Sequence, residues 1–127
     1  MVNWSSDWKA SKSPRKQRNY VKHAPLHLKK KLLAVHLSKE LRTKHKKRSM
    51  IVRKGDKVKI MRGKSKGKSA LVKKVYLKLL KVSVEGIELT RKDGTKRDVR
   101  FHPSNLMITE MSLEDKQRKR IVERKKQ

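Results

Sequence analysis

The segment Gly63-Lys64-Ser65-Lys66-Gly67-Lys68-Ser69 sets two glycines among three lysines, a composition that can hold phosphate. Two chemistries use such a loop. One is nucleotide hydrolysis on a P-loop, but three residues separate these glycines where a P-loop has four, and the residues that follow, Leu71, Val72 and Val75, are β-like. A P-loop must open a helix so that its amides face the phosphates. The other is a β-hairpin tip, where glycine lets the backbone approach a phosphate chain and Arg62, Lys64, Lys66 and Lys68 reach its oxygens. The residues fit the hairpin, and the plain structural alternative is a solvated lysine turn.

Nothing else in the chain has the spacing of catalytic machinery. Gly55-Asp56 reads as the turn into a strand, with Asp56 accepting local amide hydrogen bonds, and no second carboxylate lies near enough in sequence to form an acid/base pair. Cysteine is absent, which removes disulfides, thiol nucleophiles and Cys-ligated zinc together. His23 and His27 have a metal-compatible spacing, but Pro25 interrupts a continuous helix and no cysteine or nearby carboxylate completes a site. The reading is a non-enzyme with no metal, no cofactor and no small-molecule substrate.

Charge names the partner class. The chain carries 39 Lys+Arg against 11 Asp+Glu, a formal net charge of +28, so most basic side chains have no acid to answer them within 127 residues. Self-repulsion of this size opposes compaction unless counterions or a polyanion neutralise it. A phosphate backbone rewards each neutralising side chain with counterion release, which makes nucleic acid the leading partner. A cationic membrane-surface protein is the weaker reading, because no run approaches the ~18 apolar residues of a spanning helix and no helix face is broadly apolar. With 34% hydrophobic residues, one small domain with basic extensions is the economical organisation. The N-terminal residues lack the apolar centre of a secretory signal, which predicts a cytoplasm-like compartment.

These groups need elements to position them. Residues 1–50 read as a basic N-terminal extension with short helices: one after Ser13-Pro14, one from Pro25 carrying Leu28, Leu32 and Leu33, and one from Ser38. Residues 51–110 alternate. Val58 and Ile60 begin a first strand, Gly63 to Gly67 turn it, and Ala70, Val72 and Val75 form a second with a bulge. Leu80, Val82 and Val84 form a third, Ile87 and Leu89 a fourth that reverses at Lys92-Asp93-Gly94, Val99 and Phe101 return, and Leu106 to Ile108 close. Such short strands fit a small barrel better than an open sheet, whose edges would stay exposed. Residues 111–127 read as a basic C-terminal helix capped by Ser112, with Asp115 at the capping-box position.

Gly55-Asp56-Lys57-Val58-Lys59-Ile60-Met61-Arg62-Gly63, then Lys66-Gly67, then Val84-Glu85-Gly86-Ile87, resembles the KOW motif. SPRKQR from Ser13, APLH from Ala24, LSKELR from Leu37 and HPSNLMI from His102 narrow the likeness to the archaeal and eukaryotic form of the KOW-domain family of the large ribosomal subunit. The resemblance implies a mainly β fold, a small SH3-like barrel that binds large-subunit ribosomal RNA early in assembly and ends near the mouth of the peptide exit tunnel. It implies ribosomal RNA, neighbouring ribosomal proteins and exit-tunnel factors as partners, within cytoplasmic ribosomes. One departure is Ala70, where the family usually has a second glycine; alanine is small but resists positive φ. A KOW-containing transcription-elongation regulator is the alternative, although such proteins usually place a mixed α/β domain before the barrel.

Charge runs and resemblance together assign RNA contact to Arg15, Lys16, Arg18, His27, Lys29, Lys30, Lys31, Arg42, Arg53, Arg62, Lys64, Lys66, Gly67, Lys68, His102, Ser104 and Asn105. Gly55, Asp56, Gly63, Gly67, Asp93 and Gly94 are assigned to turns. Lys44 to Arg48 is a further basic cluster, and the ordering of these runs is expected on binding. His102 either packs on the barrel end or touches a phosphate, and Trp4, Trp8 and Tyr20 either stack on bases or pack on protein.

Overall fold

Alternating side chains decide where the core lies. In the computed structural model, which describes residues 4–124, Val58 and Ile60 of strand β3 (Lys57–Ile60) are buried while Lys59 between them is exposed. Around β3 lie β1 (Ala34–Leu37), β2 (Ser49–Ile51), β4 (Ser69–Tyr76), β5 (Lys81–Thr90), β6 (Lys96–Phe101) and β7 (Leu106–Glu110). The hydrogen-bonded order is β2-β1-β7-β3-β4-β5-β6. Every pairing is antiparallel except β1 beside β7. Among the described residues no pairing closes the ends, yet the sheet surrounds one core that runs from Val35 and Leu37 in β1 through Val58, Val72, Val82 and Ile108. Register shifts between Val72 and Lys74 and between Ser83 and Glu88 bend β4 and β5 around it. The domain is small, mainly β and SH3-like.

Two strands lie where the sequence shows no alternation. β1 has only Val35 and Leu37 turned inward, too short a pattern to separate from the preceding helix, and β2 has only Met50. Pairing supplies what the pattern lacks: His36 and Leu37 lie beside Met107 and Ile108, and Ala34 to His36 beside Ser49 to Ile51. The expected third and fourth strands are one, β5. Gly86, at φ 72°, sits within the irregular stretch where a side chain would resist that backbone, so the chain bulges and continues instead of turning. Leu80, expected in a strand, instead closes the β4–β5 turn at φ 52°. The Asp93 hairpin forms as expected: its Oδ1 accepts from Thr95 Oγ1 at 2.7 Å and Thr95 N at 3.0 Å, which holds the carboxyl below its ordinary range.

Among the described residues four α-helices decorate the sheet: α1 (Pro14–His23), α2 (Leu26–Leu32), α3 (Lys39–His45) and α4 (Lys116–Glu123). Pro14 occupies the first turn of α1 as expected, although the Ser13 side chain makes no capping bond. Ser38 Oγ caps α3 by accepting from Leu41 N at 3.4 Å. The C-terminal helix starts later than the sequence predicts, with Asp115 as its cap accepting from Gln117 N at 3.0 Å; Ser112 is held by the barrel instead. Residues 1–3 of the expected extension and 125–127 of the expected C-terminal segment lie outside the described residues.

A buried ion pair fastens α4 to the barrel. Arg118 Nη1 and Nη2 donate to Asp56 Oδ1 and Oδ2 at 2.6 and 2.7 Å, a bidentate pair with the side chains 3% and 0% exposed. Asp56 also accepts from Arg53 N at 2.9 Å and Ser112 N at 3.2 Å, while Arg118 donates to Ser112 O at 2.9 Å. Removing one partner from such a pair leaves a buried charge unanswered. Arg118→Met and Asp56→Asn are therefore each expected to lower unfolding stability by roughly 3–5 kcal/mol, and the double variant by less than the sum. Denaturant unfolding of the four proteins measures this; additive losses would show that the pair is not coupled.

Candidate nucleic-acid interface

The β3–β4 connection is a built turn. Lys66 N donates to Gly63 O at 3.0 Å, Lys68 N to Ser65 O at 3.2 Å, and Gly67 N to Ile60 O at 2.8 Å. Gly67 at φ 86° lets the chain fold back without strain. Arg62, Lys64, Lys66 and Lys68 are all exposed, and none enters a salt bridge among the described residues. Ala70 sits in β4 opposite Val58 and is not among the positive-φ residues, so alanine meets no conformational conflict there.

The structure brings the His102 loop to this tip. Met61 N donates to Asn105 O at 2.7 Å, and Ile60 lies opposite Leu106, so Arg62 to Lys68 and His102 to Asn105 share one end of the barrel. His102 has a structural part: its Nδ1 lies 2.7 Å from Ser104 Oγ and accepts from Ser104 N at 3.2 Å, capping the 3₁₀ turn Pro103–Asn105. Its side chain stays exposed, so the other ring nitrogen can still meet a phosphate.

The arm gathers at the opposite end. Lys29, assigned to RNA, is buried at 9% exposure, and its Nζ donates to Lys22 O at 2.9 Å and Lys78 O at 3.5 Å. It thereby ties α1 and α2 to the β4–β5 turn. β4 has eight residues and bends at its bulge, so the two ends stand less than roughly 25 Å apart. Arg15, Lys16, Arg18, His27, Lys30 and Lys31 are exposed at the arm's end. Trp4 packs on the arm itself: its Nε1 donates to Tyr20 O at 3.2 Å and the two rings lie 5.4 Å apart, with Tyr20 buried; Trp8 is half-buried.

Two further assigned cations also have internal partners. Arg42 Nε donates to Leu37 O at 2.8 Å, and Arg53 pairs with Asp115. The Asp115 carboxyl is held below its ordinary range, first by the Gln117 amide and then by Arg53. In the Lys44–Arg48 cluster, burial and then Lys44 and Lys47 keep His45 below the ordinary histidine value, so it adds less charge near neutral pH than a free histidine would. No cluster of three or more His, Asp or Glu suited to a metal occurs among the described residues.

Sequence reasoning passed over Arg118, because a single arginine in a basic helix carries no signal that it is buried. It also passed over Tyr76, whose ring has Arg100 Cζ 4.5 Å and Lys74 Nζ 5.4 Å from its centroid. The outward positions of β4 and β6 could have indicated it.

Fold and charge define a small, strongly basic SH3-like β domain, with cations projected from both ends. A family model for the ribosomal proteins L26 of eukaryotes and their archaeal counterparts, the L24 proteins, matches residues 11–125. The large ribosomal subunit protein uL24 of Methanothrix thermoacetophila is 46% identical over 114 residues, covering 90% of this chain and 98% of that protein. Its counterpart of the same name in Korarchaeum cryptofilum is 43% identical over 115 residues, covering 91% and 88%. The chain belongs to this family of large-subunit ribosomal proteins.

Two outcomes follow from the geometry. Replacing Lys64, Lys66 and Lys68 by Glu leaves the barrel folded, since all three are exposed, and weakens RNA binding; the slope of log affinity against log salt falls by about two to three. Titrating RNA at several salt concentrations reads this, and unchanged affinity at moderate salt would remove the hairpin from the interface. For His45 the lowered value means that the unfolded chain takes up the proton first. Stability is thus lost as pH falls below 6.5, and His45→Gln flattens that fall in thermal unfolding; identical pH slopes would contradict it.

Proposed function

We propose that the chain is a non-enzymatic structural constituent of the large ribosomal subunit that binds large-subunit ribosomal RNA. The observation that carries this is the hydrogen-bonded tip Arg62–Lys68, four exposed cations without acidic partners on a backbone that glycine lets approach phosphate. Family membership over residues 11–125 supports the same assignment. The mechanism is neutralisation at two places. The hairpin and the His102 loop engage RNA at one end while Arg15, Lys16, Arg18, Lys30 and Lys31 engage it at the other, so one small domain holds two separate RNA segments. A-form grooves hide base edges from side chains, so RNA shape supplies most of the specificity.

A bridge of this kind acts while RNA tertiary structure forms, which fits early subunit assembly. Neighbouring ribosomal proteins complete the surroundings. A place near the polypeptide exit tunnel, with exit-tunnel factors as visitors, and residence in cytoplasmic ribosomes follow from the family resemblance.

Sedimentation tests the proposal. The tagged protein from growing cells should co-sediment with large subunits and with their precursors, and its depletion should lower large subunits relative to small ones. Free sedimentation, or an unaltered subunit ratio after depletion, would contradict a constitutive ribosomal role.

A further inference from the structure

The outward face of β4, β5 and β6 carries a feature that phosphate neutralisation does not use. Register fixes the two faces. Val75, Val82 and Phe101 form one cross-strand row and contribute to the core. The adjacent row, Lys74, Ser83 and Arg100, therefore points away from it, as do Tyr76 and its partner Lys81. Ser83 on this outward face is nonetheless 0% exposed. Its Oγ donates to Lys74 O at 3.4 Å, and its two cross-strand neighbours Arg100 and Lys74 approach the half-buried Tyr76 ring, at 4.5 and 5.4 Å from its centroid.

At the common rate of about one such contact per 70–80 residues a chain of 127 residues carries about two, and here both fall on one ring. The acids of this sheet do not explain them. Asp98 and Glu88 are answered by Lys73, at 2.8 and 4.0 Å, and among the described residues neither Glu85 of β5 nor Lys74, Lys81 or Arg100 enters a salt bridge. The face thus offers a pre-ordered aromatic–guanidinium surface with uncommitted positive charge around it. Flat rings and guanidinium planes are what unpaired bases stack on, and bases inside an A-form duplex cannot reach such a surface.

We propose that Tyr76 and Arg100 form a stacking site for an unpaired RNA nucleobase, with Lys74 and Lys81 holding the adjacent phosphates. The inference rests on the RNA-binding reading and assigns it a third contact, one that recognises unstacked nucleotides and not helical phosphates. Because the Arg100–Tyr76 contact exists before RNA arrives, little ordering opposes the stack.

The test uses the full chain, a short fluorescein-labelled oligouridine and a blunt RNA duplex of equal phosphate number, at moderate salt where diffuse phosphate binding is suppressed. Arg100→Lys keeps the charge of an exposed residue and removes its planar group. It should weaken oligouridine binding about five- to tenfold and leave duplex binding unchanged. Tyr76→Phe keeps the ring and should match the parent protein. With thiouridine in the strand, photocrosslinks should map to the peptide containing Tyr76.

Equal losses on both RNAs would show Arg100 acting as charge alone and overturn the stacking site. Unchanged oligouridine binding with crosslinks elsewhere would overturn it too, while leaving the hairpin interface standing. If the parent protein binds neither RNA, the stacking site falls together with the RNA-binding reading itself.

Discussion

The Asp56–Arg118 pair is the constraint on which the rest of the structure depends. A carboxylate that is 0% exposed at the mouth of β3 is tolerable only with a planar, bidentate cation and full hydrogen bonding, and Arg118 arrives from 62 residues further along the chain. Its fork also reaches Ser112 O, and Asp56 draws in Arg53 N and Ser112 N, so the start of β3, the exit from β7 and α4 meet at one point. The C-terminal helix is therefore part of the domain's closure. Arg118 also reaches Ile51 O of β2 at 3.4 Å, and Val122 adds the helix to the core. Lysine could not replace Arg118, because a single ammonium cannot serve both oxygens in a fixed plane.

With that joint closed, several of the chain's few acids are answered by its own cations, one of them buried and the rest at the surface. Asp56 answers Arg118, Asp115 answers Arg53 and caps α4, Glu110 answers Lys57 at 2.7 Å, and Asp98 answers Lys73. What remains outward is nearly all positive. Fixed internal pairing and unanswered external charge are two sides of one composition: the acids specify the fold, and the surplus lysines and arginines await a polyanion. A bound polyanion would remove their mutual repulsion and so would stabilise the folded protein by mass action.

Much of this was legible in the chain itself. Val58 and Ile60, the Gly63–Gly67 turn and the Asp93-Gly94 hairpin follow local rules, and the structure keeps all three. What escaped depends on distant partners. β1 and β2 have too few inward residues to announce themselves and exist because β7 lies beside β1. Ser112 has the right neighbours for a cap, but Asp56 takes its amide and Asp115 caps in its place. Lys29 looks like its neighbours Lys30 and Lys31, yet its burial follows from the packing of two helices on a turn. Tyr76 and Arg100 lie on different strands with all of β5 between them, and only the β5 register sets them on one face.

The measurement that tests the central claim most directly is crosslinking of the tagged protein to RNA in living cells, with a high-salt wash to strip diffuse phosphate binding before the attached RNA is sequenced. Reads gathered in one region of large-subunit ribosomal RNA, and displaced from part of it when the hairpin lysines are reversed, are the predicted result. Reads spread over nascent transcripts would contradict a fixed ribosomal position and move the protein to the transcription machinery.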